Sequence, residues 1–226
     1  MLAKKLGYDA VISHHPPGGM ATVNFHRVFE RHVQQMVSVG VPAEEARKAV
    51  KRKLGMLEVE MHIRNYAHII DVARILGIPF MNIHTPLDEI GRRRMDEQIK
   101  KEIRDYSKVR DVVSALKKLS EFQNALTDIK VGLGNLENLA GKVVVSHGAG
   151  TNGGYEVAKT YFKYGVGTLI YIHISYGDLE KLKKEVKDKN LIITGHIASD
   201  SVGINPFIKE LENKGIDVTT IGVVKG

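Results

Sequence analysis

KVVVSHGAGTNGG, residues 142–154, decides the fold. A β-branched run, Lys142–Ser146, stops at a glycine-rich turn, and helical text takes over from Gly154 to Tyr164. The rhythm continues downstream. Strand Thr168–His173 precedes helix Gly177–Val186, strand Leu191–Thr194 precedes helix Ser201–Lys214, and strand Asp217–Ile221 closes the series. Short apolar runs alternating with helices of this length specify an α/β sheet with a substantial parallel part.

Upstream, Leu2–Leu6 reads as the end of a helix and Asp9–Ser13 as a short buried strand. SHHPPGG, residues 13–19, then stops regular structure with two prolines and two glycines. The pattern from about Thr22 to Leu76 is helical, with breaks expected near Gly40–Pro42 and at Gly55. Ile78–His84 is a second strand, a charged helix follows from about Pro86, and helical text continues through Asp105 to Leu119.

The two halves echo each other. VISHHPPGG at 11–19 resembles VVSHGAGTNGG at 144–154, and IPFMNIHTPLDE at 78–89 resembles GTLIYIHISYGDLE at 167–180. Two matches in the same order favour a duplicated half. We therefore expect two related α/β units with a boundary near 120–140, drawn as residues 1–125 and 126–226.

Composition narrows the chemistry. Hydrophobic residues make up 43% and charged residues 26% of the 226, as in a globular domain. No apolar run approaches the ~20 residues of a membrane span, and the start lacks a signal peptide's apolar stretch. A cytoplasmic protein without membrane contact is expected. Cysteine is absent, which removes disulfides, thiol nucleophiles and thiolate metal sites, so any metal must be held by nitrogen and oxygen. That ligand chemistry suits zinc, iron, manganese or nickel. The net charge of +7 permits nucleotide or nucleic-acid partners, but the basic residues are interspersed with Glu and Asp on helical stretches. Nucleic acid is correspondingly weakly supported.

Three strand-end motifs carry imidazole or carboxylate. His14 and His15 follow the first strand; side chains of adjacent residues diverge, so each suits one of two neighbouring ions. As turn residues they could instead bond backbone carbonyls. HTPLD, residues 84–88, follows the second strand, where Asp88 is either a ligand or a helix cap. GHIASD, residues 195–200, spaces His196 and Asp200 at i and i+4, within chelating reach if both lie on a helix. Together His14, His15, Asp88, His196 and Asp200 meet the needs of a centre of two divalent metal ions, with a metal-bound hydroxide as nucleophile and His84 either supporting a ligand from behind or carrying protons. The Gly-rich loop 146–154 suits a tight turn or an anion contact. The role of His173 stays open, while His26, His32, His62 and His68 are expected at the surface or core edge.

SHHP, HTPLD and GHIASD, in that order, resemble the Nif-three-like family, also called the GTP cyclohydrolase I type 2 family, over nearly the whole chain. The resemblance implies two α/β lobes, metal ligands at His14, His15, Asp88, His196 and Asp200, His84 lining the pocket, and a ring-shaped homo-oligomer, usually a hexamer. Metal-dependent hydrolysis, with GTP cyclohydrolase activity attributed to some members, is the implied function, acting on a small-molecule, nucleotide-like substrate. A non-enzymatic metal-binding regulatory or metal-handling protein is the alternative. Three positions depart from the family pattern. Asp200 stands where Glu is usual, and Ile172–Ile174 replaces a Thr-Gly-acid motif. Only thirteen residues precede His14, so either the start is truncated or the first lobe lacks strands. No inserted domain separates the halves, as in a short-form member.

Overall fold

Three parallel strands with helices between them form the centre of the molecule, in a computed structural model that describes residues 2–226. In chain order, α1 (Leu2–Lys5) leads into β1 (Val11–Ser13). Five helices follow, α2 (Gly19–Val23), α3 (Phe25–Val28), α4 (Arg31–Ser38), α5 (Ala43–His62) and α6 (His68–Ile75). Then come β2 (Phe80–Asn82), α7 (Thr85–Glu102), α8 (Val109–Leu116) and α9 (Ser120–Gln123). The second half runs β3 (Lys130–Leu133), β4 (Val143–Val145), α10 (Gly154–Lys163), β5 (Thr168–Tyr171), α11 (Tyr176–Glu185), β6 (Asn190–Ile193) and α12 (His196–Asn213).

The main sheet has the order β3-β6-β5-β4, with β4, β5 and β6 parallel and β3 antiparallel to β6. All four residues of β5 are buried, which is why it reads as a continuous apolar run rather than an alternating one. Successive side chains nevertheless enter different cores. Leu169, Tyr171 and Leu191 face α4, α5, α10 and α11, among Met36, Val50, Val157 and Leu182. Ile170 and Ile192 face α7, α8 and α12, among Met95, Val112 and Val202. The result is a helix–sheet–helix sandwich in which both cores draw on residues from each half of the chain. β1 and β2 form a separate parallel pair, Val11 opposite Phe80 and Ser13 opposite Asn82.

Several expectations differ from the structure. Gly55 does not interrupt α5, whose twenty residues carry one glycine in helical conformation without strain. The break at Gly40–Pro42 is present, with Gly40 at a φ of +101°. The last helix begins at His196 rather than Ser201. Lys130–Leu133 is a strand that Gly132 and Gly134 obscured in the sequence. Asp217–Ile221 is irregular instead of a strand. Side chains of α12 anchor the chain just beyond that segment: Ser201 Oγ accepts from the Val224 N–H at 2.9 Å, and Asn205 Nδ2 donates to the Val224 carbonyl at 2.9 Å. His32, expected at the surface or core edge, is completely buried, whereas His62 and His68 are exposed and His26 is half-buried.

Candidate metal centre

Each parallel strand delivers a histidine within three residues of its end. His14 follows β1, His84 follows β2, His147 follows β4, His173 follows β5 and His196 follows β6. The carboxyl ends of the β1–β2 pair and of the main sheet thus meet, and the crevice beyond such strand ends is the usual place for a site in α/β folds. The turn out of β6 requires Gly195, whose φ is +92° and whose Cβ, if present, would lie 2.8 Å from Thr127 Oγ1.

Two helices bring the carboxylates together. α7 begins HTPLDEIG, residues 84–91, and α12 begins HIASDSVG, residues 196–203, so both share the spacing His-x-x-x-Asp-x-x-Gly. The helices cross at the two glycines: a Cβ on Gly203 would sit 1.9 Å from the Leu87 carbonyl oxygen. Only glycine permits that approach. Asp88 and Asp200, each three residues before its glycine, are thereby placed on facing first turns, buried at 3% and 6% exposure.

Imidazoles close around them. His14 Nε2 lies 3.1 Å from Asp88 Oδ1 and 3.5 Å from Asp200 Oδ2. His15 Nε2 and His196 Nε2 each lie 3.3 Å from Asp200 Oδ2, and His84 Nε2 lies 3.5 Å from Asp88 Oδ2. His147 Nε2 stands 3.8 Å from Asp88 Oδ1 and 3.9 Å from Asp200 Oδ1. The sequence-derived set, His14, His15, Asp88, His196 and Asp200, is thus one cluster, with His84 on its edge. His173 packs against His196, ring centroids 4.6 Å apart, and its Nδ1 meets Asn152 Nδ2 at 2.9 Å.

The donor set fits a metal. His14 Nδ1 donates to the Ile83 carbonyl at 3.0 Å, which turns the Nε2 lone pair inward, the usual outer-shell arrangement of a ligating histidine. Among the described residues five buried side-chain N or O atoms have no hydrogen-bond partner, and three of them, His14 Nε2, Asp88 Oδ1 and His147 Nε2, point into this cluster. Such atoms cost about 1–3 kcal/mol each when left unpaired. Three triads, His14–His15–His84, His15–His196–Asp200 and His14–Asp88–Asp200, bring ligand atoms close enough to share an ion.

Electrostatics agree. Burial opposes the charged form of His14, yet the Asp200 and Asp88 carboxylates prevail and lift its pKa to about 9. Asp200 also lifts His196, against burial. Burial disfavours the Asp200 carboxylate, but His14, His15 and His196 hold it well below the ordinary carboxylate range. The paired carboxylates demand positive charge, which a divalent ion would supply in place of protons. Burial pushes His84 and His173 down to about 4 and also lowers His147.

The cluster forms the floor of a cavity of about 360 Å³. Phe25 stacks beside His84 at 5.8 Å, loop Gly148–Asn152 lines one wall, and Glu60 and Arg64 stand at the exposed rim. That loop is clamped to α4. Arg31 Nε donates to the Gly148 carbonyl at 2.9 Å, His32 Nε2 donates to the Thr151 carbonyl at 2.9 Å, and Gln35 Nε2 donates to the His147 carbonyl. Lys53 Nζ adds a contact to the Asn152 carbonyl at 2.6 Å. Sequence reasoning passed over His147, although the Ser-His echo of the two halves marks it as the counterpart of His14. It also passed over the His32 clamp, whose acceptor is more than a hundred residues away.

Among solved structures, a NIF3 superfamily protein from Sphaerobacter thermophilus matches with a TM-score of 0.96 and 48% identity, over 98% of this chain and 81% of that one. The Staphylococcus aureus hypothetical protein SA1388 matches in fold, with a TM-score of 0.51 and 13% identity over 98% of this chain and 80% of that one. No family model and no curated protein matches the chain. Among the described residues no helix is long and apolar enough to cross a membrane.

Proposed function

The chain belongs to the NIF3 superfamily, and from that membership together with its histidine–aspartate cluster we propose a metal-dependent hydrolase acting on a nucleotide-like small substrate. The observation that carries this is the convergence of Asp88, Asp200 and five imidazoles at the floor of a cavity of substrate size. His14, His15, Asp88, His196 and Asp200 would hold two divalent ions, drawn from zinc, iron, manganese and nickel. When bound, such ions supply Lewis acidity and lower the pKa of water toward neutrality.

The chain's own groups then do the rest. His84 faces the cavity beside Asp88 and is the side chain placed to carry a proton between substrate and solvent. Phe25 offers an aromatic face to a planar base. Gly148 and Gly150, with φ of +74° and +81°, give the loop the alternating backbone that turns N–H groups toward anions, and Arg64 adds a positive charge at the rim. Ring opening of GTP with release of formate is the specific reaction to test. A homo-oligomer, a hexameric ring by family resemblance, belongs to the same proposal; exposed Ile12, Met81 and Ile197 provide apolar surface near the site.

Purified protein loaded with each metal should release formate from GTP or hydrolyse another nucleotide in a panel. His84→Gln should abolish turnover while leaving metal content intact. Full metal loading without turnover of any nucleotide would refute the hydrolase and leave a metal-handling protein.

A further inference from the structure

The two halves of the site correspond closely, but of the paired histidines after β1 and β4, His14 and His147, only His14 stands in the ligand set. His84 and Asp88 on α7 correspond to His196 and Asp200 on α12, at the same i,i+4 spacing and the same distance from the crossing glycines. His14, directly after Ser13, corresponds to His147, directly after Ser146. His14 reaches the carboxylates from the β1 side. His147 reaches them from the β4 side.

His147 is 5% exposed, and its Nε2 has no hydrogen-bond partner. That atom stands 3.8 Å from Asp88 Oδ1 and 3.9 Å from Asp200 Oδ1, too far for a hydrogen bond to either. Each separation is within the reach of a nitrogen and an oxygen bound to one ion, because ligand atoms each about 2.0–2.2 Å from zinc are separated by up to twice that length. The nitrogen stands just outside the tighter triad of His14, Asp88 and Asp200. Asp88 Oδ1 is likewise unpartnered, as is His14 Nε2. The position is built, not incidental. Gln35 holds the His147 carbonyl and Arg31 holds that of Gly148. A Cβ on Gly148 would come within 3.3 Å of the Glu89 N–H nitrogen, so the loop lies directly against the first turn of α7.

We infer that His147 is a further metal ligand, completing with His14, Asp88 and Asp200 a buried site for a divalent cation on the inner side of the cluster. This rests on the metal-binding part of the proposed function and adds a residue to it. His15 and His196 line the cavity and are left to the outer position, with His84 beside them as the proton carrier. The inner ion would be closed off by protein and the outer one open to substrate.

The test pairs a variant with a direct view of the wild type. His147→Leu keeps the volume and removes the unpartnered nitrogen. The metal-free variant should be at least as stable as wild type, whereas a merely structural histidine would leave it less stable. Calorimetric titration with zinc should show one of two sites weakened at least about 100-fold, since loss of even an outer-shell partner costs about 10–100-fold. In zinc-soaked wild-type crystals, anomalous scattering should place an ion in bonding contact with His147 Nε2. Zinc at His14, Asp88 and Asp200 with His147 bare, or unchanged zinc binding by His147→Leu, would overturn this inference alone. Wild-type protein that takes up no zinc, iron, manganese or nickel would overturn the proposed function along with it.

Discussion

The glycine crossing of α7 and α12 makes a quantitative prediction. A Cβ on Gly203 would lie 1.9 Å from the Leu87 oxygen, 2.8 Å from the Leu87 carbonyl carbon and 2.9 Å from the Gly91 nitrogen. All three are backbone atoms inside a helix, so none can swing aside. Restoring ordinary contact requires the helices to part by about 1.5 Å, and overpacking of this kind costs about 1–3 kcal/mol or more. Alanine's better helix propensity returns about 1 kcal/mol. With backbone against backbone the cost lies at the upper end, about 3 kcal/mol, so Gly203→Ala should lose about 2 kcal/mol net, which for a chain of this size lowers Tm by roughly 4–8 °C. The same displacement moves Asp88 away from Asp200, and zinc affinity should fall at least tenfold. Gly91→Ala provides the contrast. Its Cβ would meet Gly203 N and Ser199 O at 3.2 Å, a misfit of a few tenths of an ångström that the propensity gain offsets. Urea denaturation of the metal-free proteins and zinc titration read both effects. A Gly203→Ala protein with wild-type stability and zinc affinity, or a Gly91→Ala protein that is the more damaged, would refute the assignment of the crossing as what sets the carboxylate pair.

Burial holds His32 at about 4, below the ordinary histidine value of 6.5, so the unfolded chain binds the extra proton first as pH falls. Stability from this residue is complete above pH 6.5 and declines toward pH 4 by about 3 kcal/mol, at about 1.4 kcal/mol per pH unit. His32→Gln should show a flatter stability profile across that window, read by denaturant midpoints at each pH. Chelation of the bound metal should lower Tm, because an ion at one hundred times its Kd contributes about 2.7 kcal/mol; an unchanged Tm in EDTA would mean that no native site was filled. Gln35→Met removes the donor to the His147 carbonyl and the contact to Ser146 Oγ, and should cost about 1–2 kcal/mol while weakening zinc binding. Wild-type zinc affinity in that variant would show that the clamp does not position the loop.

Much of the site was legible because its chemistry sits next to local punctuation. His14 and His15 are fenced by an apolar strand and a Pro-Pro-Gly-Gly turn, and the i,i+4 spacing of His196 and Asp200 is informative once a helix is placed there. The features that escaped sequence reading depend on distant partners. DVTTI, residues 217–221, has the composition of a strand, yet no neighbouring strand offers a ladder, and Ser201 and Asn205 of α12 bind the backbone just beyond it. Lys130–Leu133 became a strand because β6 lies beside it, despite two glycines nearby. His32 sits within an amphipathic helix, and only the loop at Thr151 explains why it is inside. The His-x-x-x-Asp-x-x-Gly spacing was present in both halves all along, but its meaning appears only when the two helices are seen to cross at the glycines.

The β1–β2 pair has a consequence for how the centre is assembled. Three residues on each side make a ladder too small to persist alone in water, yet it presents His14 and leads to His84. His147, His173 and His196 project instead from a four-stranded sheet packed on both faces. Amide hydrogens of Val11–Ser13 and Phe80–Asn82 should therefore exchange with deuterium through small local openings in metal-free protein, while those of β5 wait for global unfolding. Metal should slow the first group far more than the second. The ion would then act as the fastener that joins a loosely hinged jaw to a fixed one, and its release would begin with the fraying of six residues.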